Sequence, residues 1–175
     1  MSGDQTTVSA SAPGPMHEQI LLLLPTFTDA RLTAGILQKN GISTTVCSNP
    51  ADLSRRLAQG AAAVLVSEES LAQGAQSILI RAIDCQPRWS DLPVLVLTRS
   101  GANSQQVGDA IAQLGNVTVL ERPLRLAALI STVRSALRAR ERQYQIRTHL
   151  HDLEAARDDQ ARTARRKDEF LAMLA

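Results

Sequence analysis

Four polar clusters interrupt the apolar runs of this chain: Pro25-Thr26, Ser67-Glu68-Glu69, Thr98 and Arg122-Pro123. A hydroxyl, a carboxylate and a guanidinium gathered at one place can hold a phosphoryl group or close into a permanent ion pair. Ser67 would need a base and a metal to work as a nucleophile, and neither stands near it in sequence. Glu68 follows Ser67 and reaches Arg122 only if the strand stops before it. The favoured expectation is that Glu68 and Glu69 are solvated carboxylates at a helix start, where the dipole suits them. The alternative is a carboxylate–guanidinium pair between Glu68 and Arg122. No catalytic set and no metal site is expected. His17, His149 and His151 do not cluster with other ligands, and His149 and His151 are two apart on a helix, so they face different directions at its surface. Cys47 and Cys85 are too few for a disulfide framework or a zinc site; they read as small buried apolar groups in a reducing interior. No glycine-rich loop follows the first apolar run, so a phosphate cradle for a nucleotide has no support.

The elements that must position these clusters follow from alternating apolar runs and helix-length segments. Ile20–Leu24 reads as a strand, followed by Thr28 as N-cap of a helix with Leu32, Ile36 and Leu37 on one face, closed by Asn40-Gly41. Ile42–Cys47 is a second strand. Asn49-Pro50 starts a helix with Pro at N1, Leu53 and Leu57 facing inward and Gly60 at its end. Ala61–Ser67 is a third strand, and a helix spans roughly 75–85. Trp89 sits in the next loop, where it either covers the sheet edge or serves a partner contact, burial being favoured. Pro93–Thr98, a helix over 104–114 and Val117–Leu120 complete the series. Five βα units with strands apolar on both faces imply α/β architecture, a flavodoxin-like parallel sheet of order 2-1-3-4-5. Ligands of such sheets sit outside the carboxyl ends of the strands, which is where the four clusters fall.

From Arg125 onward there is no Pro or Gly, and a helix from there to Ala175 would run about 75 Å, too long to pack on one small domain. Steps of four and three pass through Ile146, Leu150, Leu153, Arg157, Gln160, Ala164, Lys167, Leu171 and Leu174. This is an imperfect coiled-coil seam, apolar at its ends and loosened in the middle. The domain plan is a disordered leader over 1–17, an α/β domain over 18–124 and a long helix over 125–175. Net charge is +2, with 7 Lys+Arg against 10 Asp+Glu before Arg122 and 12 against 7 from Arg122 onward. Acidic residues interrupt the basic tail, so a solvated mixed-charge face is preferred to nucleic-acid binding. The longest apolar run is far too short for a membrane span, and a cytoplasmic protein is expected.

Over roughly Glu18 to Arg140 this arrangement resembles the receiver domain of response regulators, a CheY-like fold. In that family an acidic pair after the first strand binds Mg²⁺ and an Asp ending the third strand accepts the phosphoryl group. A Thr or Ser after the fourth strand and a Lys-Pro after the fifth contact the phosphate. Thr98 matches the hydroxyl position, and Arg122-Pro123 takes the Lys-Pro position with a planar fork in place of a point charge. The acidic pair falls on Leu24-Pro25 or Pro25-Thr26 and the acceptor on Ser67, so the resemblance implies a pseudo-receiver without phosphotransfer. Lys167-Asp168-Glu169-Phe170-Leu171-Ala172 resembles the lead-in to the phosphoacceptor box of sensor histidine kinases, K-D-E-F-L-A-x-x-(A/S)-H-E-L-R. The reactive histidine would then come directly after Ala175. The two resemblances imply the regulatory and dimerisation part of such a kinase, homodimeric through its last helix and acting on a downstream kinase core or a partner response regulator. ATP and Mg²⁺ would belong to a separate downstream domain, with no cofactor in this chain, which would be inactive alone. If Ala175 is the true end, a stand-alone adaptor that dimerises and binds a partner signalling protein is the alternative.

Overall fold

The computed structural model describes residues 19–99 and 105–174. The expected leader, His17, Ser104 and Ala175 lie outside these. Five strands form one parallel sheet in the order β2-β1-β3-β4-β5: β1 Ile20–Leu23, β2 Thr44–Val46, β3 Ala63–Ser67, β4 Val94–Arg99 and β5 Val117–Arg122. The helices are α1 Phe27–Lys39, α2 Pro50–Leu57, α3 Glu68–Ser70, α4 Gln76–Asp84, α5 Gln105–Leu114 and α6 Leu126–Leu174; a π-helical turn, Leu71–Ala75, joins α3 to α4. The flavodoxin-like order and the long terminal helix are those expected from the sequence.

Alternation along the strands divides the core in two. Leu21, Leu23, Val64, Val66, Val94 and Val96 face α2, α4 and α5 through Leu53, Leu79 and Leu114. Ile20, Leu22, Leu65, Leu95 and Leu97 face α1 and α6 through Ala34, Leu37, Leu129 and Val133. Both faces are covered, which is why these strands are continuous aliphatic runs.

Local chemistry sets most boundaries. Asn49 caps α2, its side chain accepting the Asp52 amide at 2.8 Å, with Pro50 in the first turn. Asp52 is buried beside Cys47. Its carboxylate accepts from the Ser48 amide, from Arg55 at 2.6 Å and from Arg56 at 3.1 Å. The Arg55 hydrogen bond, reinforced by Ser48 and Arg56, holds its pKa at about 2. Burial, with the Asp52 charge added, pushes the Cys47 thiol up to about 12.

Three expectations are corrected. Thr26, not Thr28, caps α1: its hydroxyl accepts the Asp29 amide at 3.1 Å and donates to the Asp29 carboxylate at 2.8 Å. Helix α1 buries Ala30, Ala34 and Leu37, while Leu32 and Ile36 face outward, because small residues let the helix approach the sheet closely. Cys85 is exposed rather than buried. The helix expected over 75–85 is α4, and a further helical segment stands ahead of it, opening at α3. Ser67 caps it, and the chain turns through the π-helical segment with Gly74 at φ 105°, a left-handed geometry that suits glycine.

Helix α6 is continuous over 49 residues, about 73 Å. Leu129, Val133 and Arg140 are its buried residues, and from Gln145 to Leu174 every position is exposed. No helix of the described residues is long and apolar enough to cross a membrane.

Candidate functional site

The carboxyl ends of β3, β4 and β5 bring together the polar residues singled out in the sequence. Register places Ser67 opposite Leu97, Thr98 opposite Glu121 and Arg99 opposite Arg122, so all reach the same rim of the sheet. β4 and β5 run one and two residues further than expected, which carries Arg99 and Arg122 as strand residues into that rim.

Ser67 is fully buried. Its hydroxyl accepts the Ser70 amide at 3.1 Å and shares a hydrogen bond with the Ser70 hydroxyl at 3.0 Å. It serves as a helix cap. Helix α3 starts at once after Ser67, so Glu68 and Glu69 diverge by a helical step rather than by the two-fold alternation of a strand. Glu68 turns inward, 8% exposed, and its Oε2 is buried without a hydrogen-bond partner. Glu69 turns to the rim and meets two guanidiniums, Arg122 at 3.2 Å and Arg99 at 3.4 Å. The favoured expectation of two solvated carboxylates is therefore corrected, and the alternative ion pair to Arg122 is made by Glu69 rather than Glu68. Partial burial pushes the Glu69 carboxyl upward. Its own backbone N–H, the Ser67 hydroxyl, Arg122 and Arg99 outweigh this and hold it below the ordinary glutamate range.

Thr98 is buried at 1% exposure. Pro25 and Thr26 are exposed at the end of β1, where Thr26 is occupied with capping α1. Arg122 keeps a buried Nε without a hydrogen-bond partner and precedes a cis proline. Arg99 is the rim residue that sequence reasoning missed; its only signal was its place next to Thr98. His149 and His151 are exposed on α6, as expected.

A second polar assembly lies at the opposite end of the sheet. Arg140 of α6 is 6% exposed and donates to the Ser90 hydroxyl at 2.7 Å and the Gln143 carbonyl at 2.8 Å. Gln143 in turn bonds the Asp91 backbone in both directions at 2.9 Å. Trp89, half-buried, packs on α6 rather than over a sheet edge, with its ring 5.5 Å from that of Tyr144. Beyond it, Ile146, Leu150, Leu153, Ala164, Leu171 and Leu174 form an exposed stripe on α6.

No protein-family model matches the chain, and no curated protein matches it. Solved structures do. A signal receiver domain of an HD domain-containing protein from Pseudomonas fluorescens Pf-5 superposes with a TM-score of 0.63 at 14% identity, covering 78% of this chain and 98% of that one. A sensor protein from Polaromonas sp. JS666 gives 0.55 at 25% identity, covering 70% and 97%. A CheY-like response regulator receiver domain from Methylobacillus flagellatus gives 0.54 at 16% identity, covering 68% and 98%. The molecule has the CheY-like receiver fold, extended by a long C-terminal helix.

The residues at the rim do not fit the Mg²⁺ ion of that fold. Leu24, Pro25 and Thr26 offer no carboxylate at the end of β1, and the Glu69 carboxylate is taken by two arginines. A hard cation that dehydrates reluctantly and relies on carboxylate oxygens finds one oxygen of Glu68 beside competing guanidiniums. Among the described residues no three His, Cys, Asp or Glu come together as a metal site.

Proposed function

We propose that this chain is the regulatory and dimerisation part of a two-component sensor histidine kinase, with a receiver-fold domain that takes no phosphoryl group. The observation that carries the reading is the Glu69 carboxylate lodged between Arg122 and Arg99 at the ligand-facing rim. An internal anion stands where a phosphorylated receiver would gain one, and Ser67, at the acceptor position, is committed to capping α3. The charges at the rim belong to side chains of the domain itself instead of a transient phosphoryl group.

The same reading gives α6 its role. Two copies pair through Ile146, Leu150, Leu153, Ala164, Leu171 and Leu174, whose exposure in the single chain leaves them available for burial. The Lys167–Ala172 motif leads toward a phosphoacceptor histidine beyond Ala175, and a downstream kinase domain in the cytoplasm supplies ATP and Mg²⁺. Receiver-fold neighbours, one of them a sensor protein, are consistent with a signalling role.

Two measurements test this. Incubation with acetyl phosphate and Mg²⁺, followed by intact-mass analysis, is expected to leave the chain unmodified; a stoichiometric phosphoryl adduct on residues 19–122 would overturn the pseudo-receiver. A longer chain carrying the downstream region is expected to label from ATP on the histidine after Ala175, and its failure to label would overturn the kinase assignment.

A further inference from the structure

Where α6 leaves the domain, a cleft of about 740 Å³ opens between the helix, Trp89 and the turn before β3. Its walls include Gln59, Trp89, Arg140, Glu141, Tyr144 and Arg147. Its size is that of a small-molecule site, where a few polar groups orient a ligand against apolar and aromatic walls.

Arg140 is the unusual member. The residue is more than nine-tenths buried, yet its hydrogen-bond acceptors, Ser90 and Gln143, are neutral. Its Nε is buried with no hydrogen-bond partner, and no carboxylate among the described residues lies within 4.0 Å of it. The Tyr144 and Trp89 rings stand 4.9 and 5.9 Å from its Cζ. Cation–π contact offsets part of the desolvation of a buried cation but seldom all of it, and buried charges are ordinarily paired. A second guanidinium, Arg147, lies 5.0 Å over the Trp89 ring and likewise has no carboxylate within ion-pair distance. Two cations and two mutually tilted aromatic rings share one cleft. Glu141 on its rim, negatively charged, disfavours polyanions.

We propose that this cleft binds a small planar aromatic acid: a ring bearing one acidic group, carboxylate or phosphate ester. The acid meets Arg140 and Arg147 while the ring packs against Trp89. The site is independent of the rim described above and lies at the base of the projecting helix, so its occupant would bear directly on the direction in which α6 leaves the domain.

Trp89 is the single tryptophan of the chain and so reports on the cleft. Titration of the full chain with 4-hydroxybenzoate and, separately, phenyl phosphate is followed by Trp89 fluorescence and by calorimetry. Saturable binding of at least one is expected, the tighter of the two identifying the acidic group. Benzyl alcohol, a neutral ring, is expected to bind far more weakly. Arg147→Gln, at an exposed position that leaves the fold intact, is expected to weaken the acid about tenfold or more. Arg140→Lys, checked for folding by its thermal melt, keeps the charge but removes the planar fork and is expected to weaken it as well. No saturable signal with either acid, equal binding of the neutral ring, or unchanged affinity in Arg147→Gln would each overturn the proposal.

Discussion

Replacing Leu150 by alanine tests the pairing of α6 most directly. Leu150 is 49% exposed in the single chain. Burying a whole leucine side chain contributes about 1.5–3 kcal/mol, so covering the remaining half contributes about 1 kcal/mol per copy and about 2 kcal/mol per dimer. Alanine retains a little of that, which leaves a loss of about 1.5 kcal/mol, or about tenfold in the dissociation constant. Sedimentation equilibrium over a range of loading concentrations measures it. Arg157→Leu supplies the opposite sign, because it replaces a charge at the loosened centre of the seam with an apolar side chain and is expected to tighten association. A chain that stays monomeric at every concentration would refute the pairing. So would a Leu150→Ala variant with an unchanged dissociation constant.

Other perturbations act on the domain itself. Asp52 has a folded pKa of about 2 against an ordinary value of 3.8, so its stabilisation is full above pH ~4 and is lost as pH falls toward 2. The full displacement corresponds to about 2.4 kcal/mol. With Arg55 72% and Arg56 33% exposed, screening reduces this to about 1 kcal/mol, the cost expected for Asp52→Asn in urea unfolding at pH 7 and mostly lost at pH ~2. Leu65→Ala, at a fully buried position of the central strand, is expected to cost about 2–5 kcal/mol by the same assay. Glu69→Gln is expected to cost only about 0.2–1 kcal/mol, since its partners are partly exposed, while mobilising the Arg99 and Arg122 side chains in NMR relaxation.

Most of the fold was legible because buried parallel strands carry an unambiguous signal. Runs such as Val94-Leu95-Val96-Leu97 have no polar face, and Asn49-Pro50 announces a helix start by its chemistry. The misreadings were local. Thr26 and Thr28 are chemically equal as caps, and only the second partner, Asp29 three residues after Thr26, distinguishes them. Leu32 and Ile36 look like core by hydropathy, but α1 meets the sheet through alanines, a matter of interlayer spacing that periodicity does not encode. At the rim, the choice between Glu68 and Glu69 depended on whether strand or helix geometry governs the residue after Ser67. The Trp89–Arg140–Gln143 assembly joins residues about fifty positions apart and left no trace in local pattern.

The attachment of α6 has a mechanical consequence. Leu129 and Val133 seat the helix on the sheet, and the hydrogen bonds of Arg140 to Ser90 and of Gln143 to Asp91 fasten it at the sheet's far end. Past Thr148 twenty-six residues, about 39 Å of rod, stand clear of the domain. Tilting that rod by about 5° at its root sweeps the distal end through about 3 Å, the rise of about two helical residues. A rearrangement at the root too slight to disturb either half of the core would thus arrive at the far end as a displacement large enough to change which side chains meet.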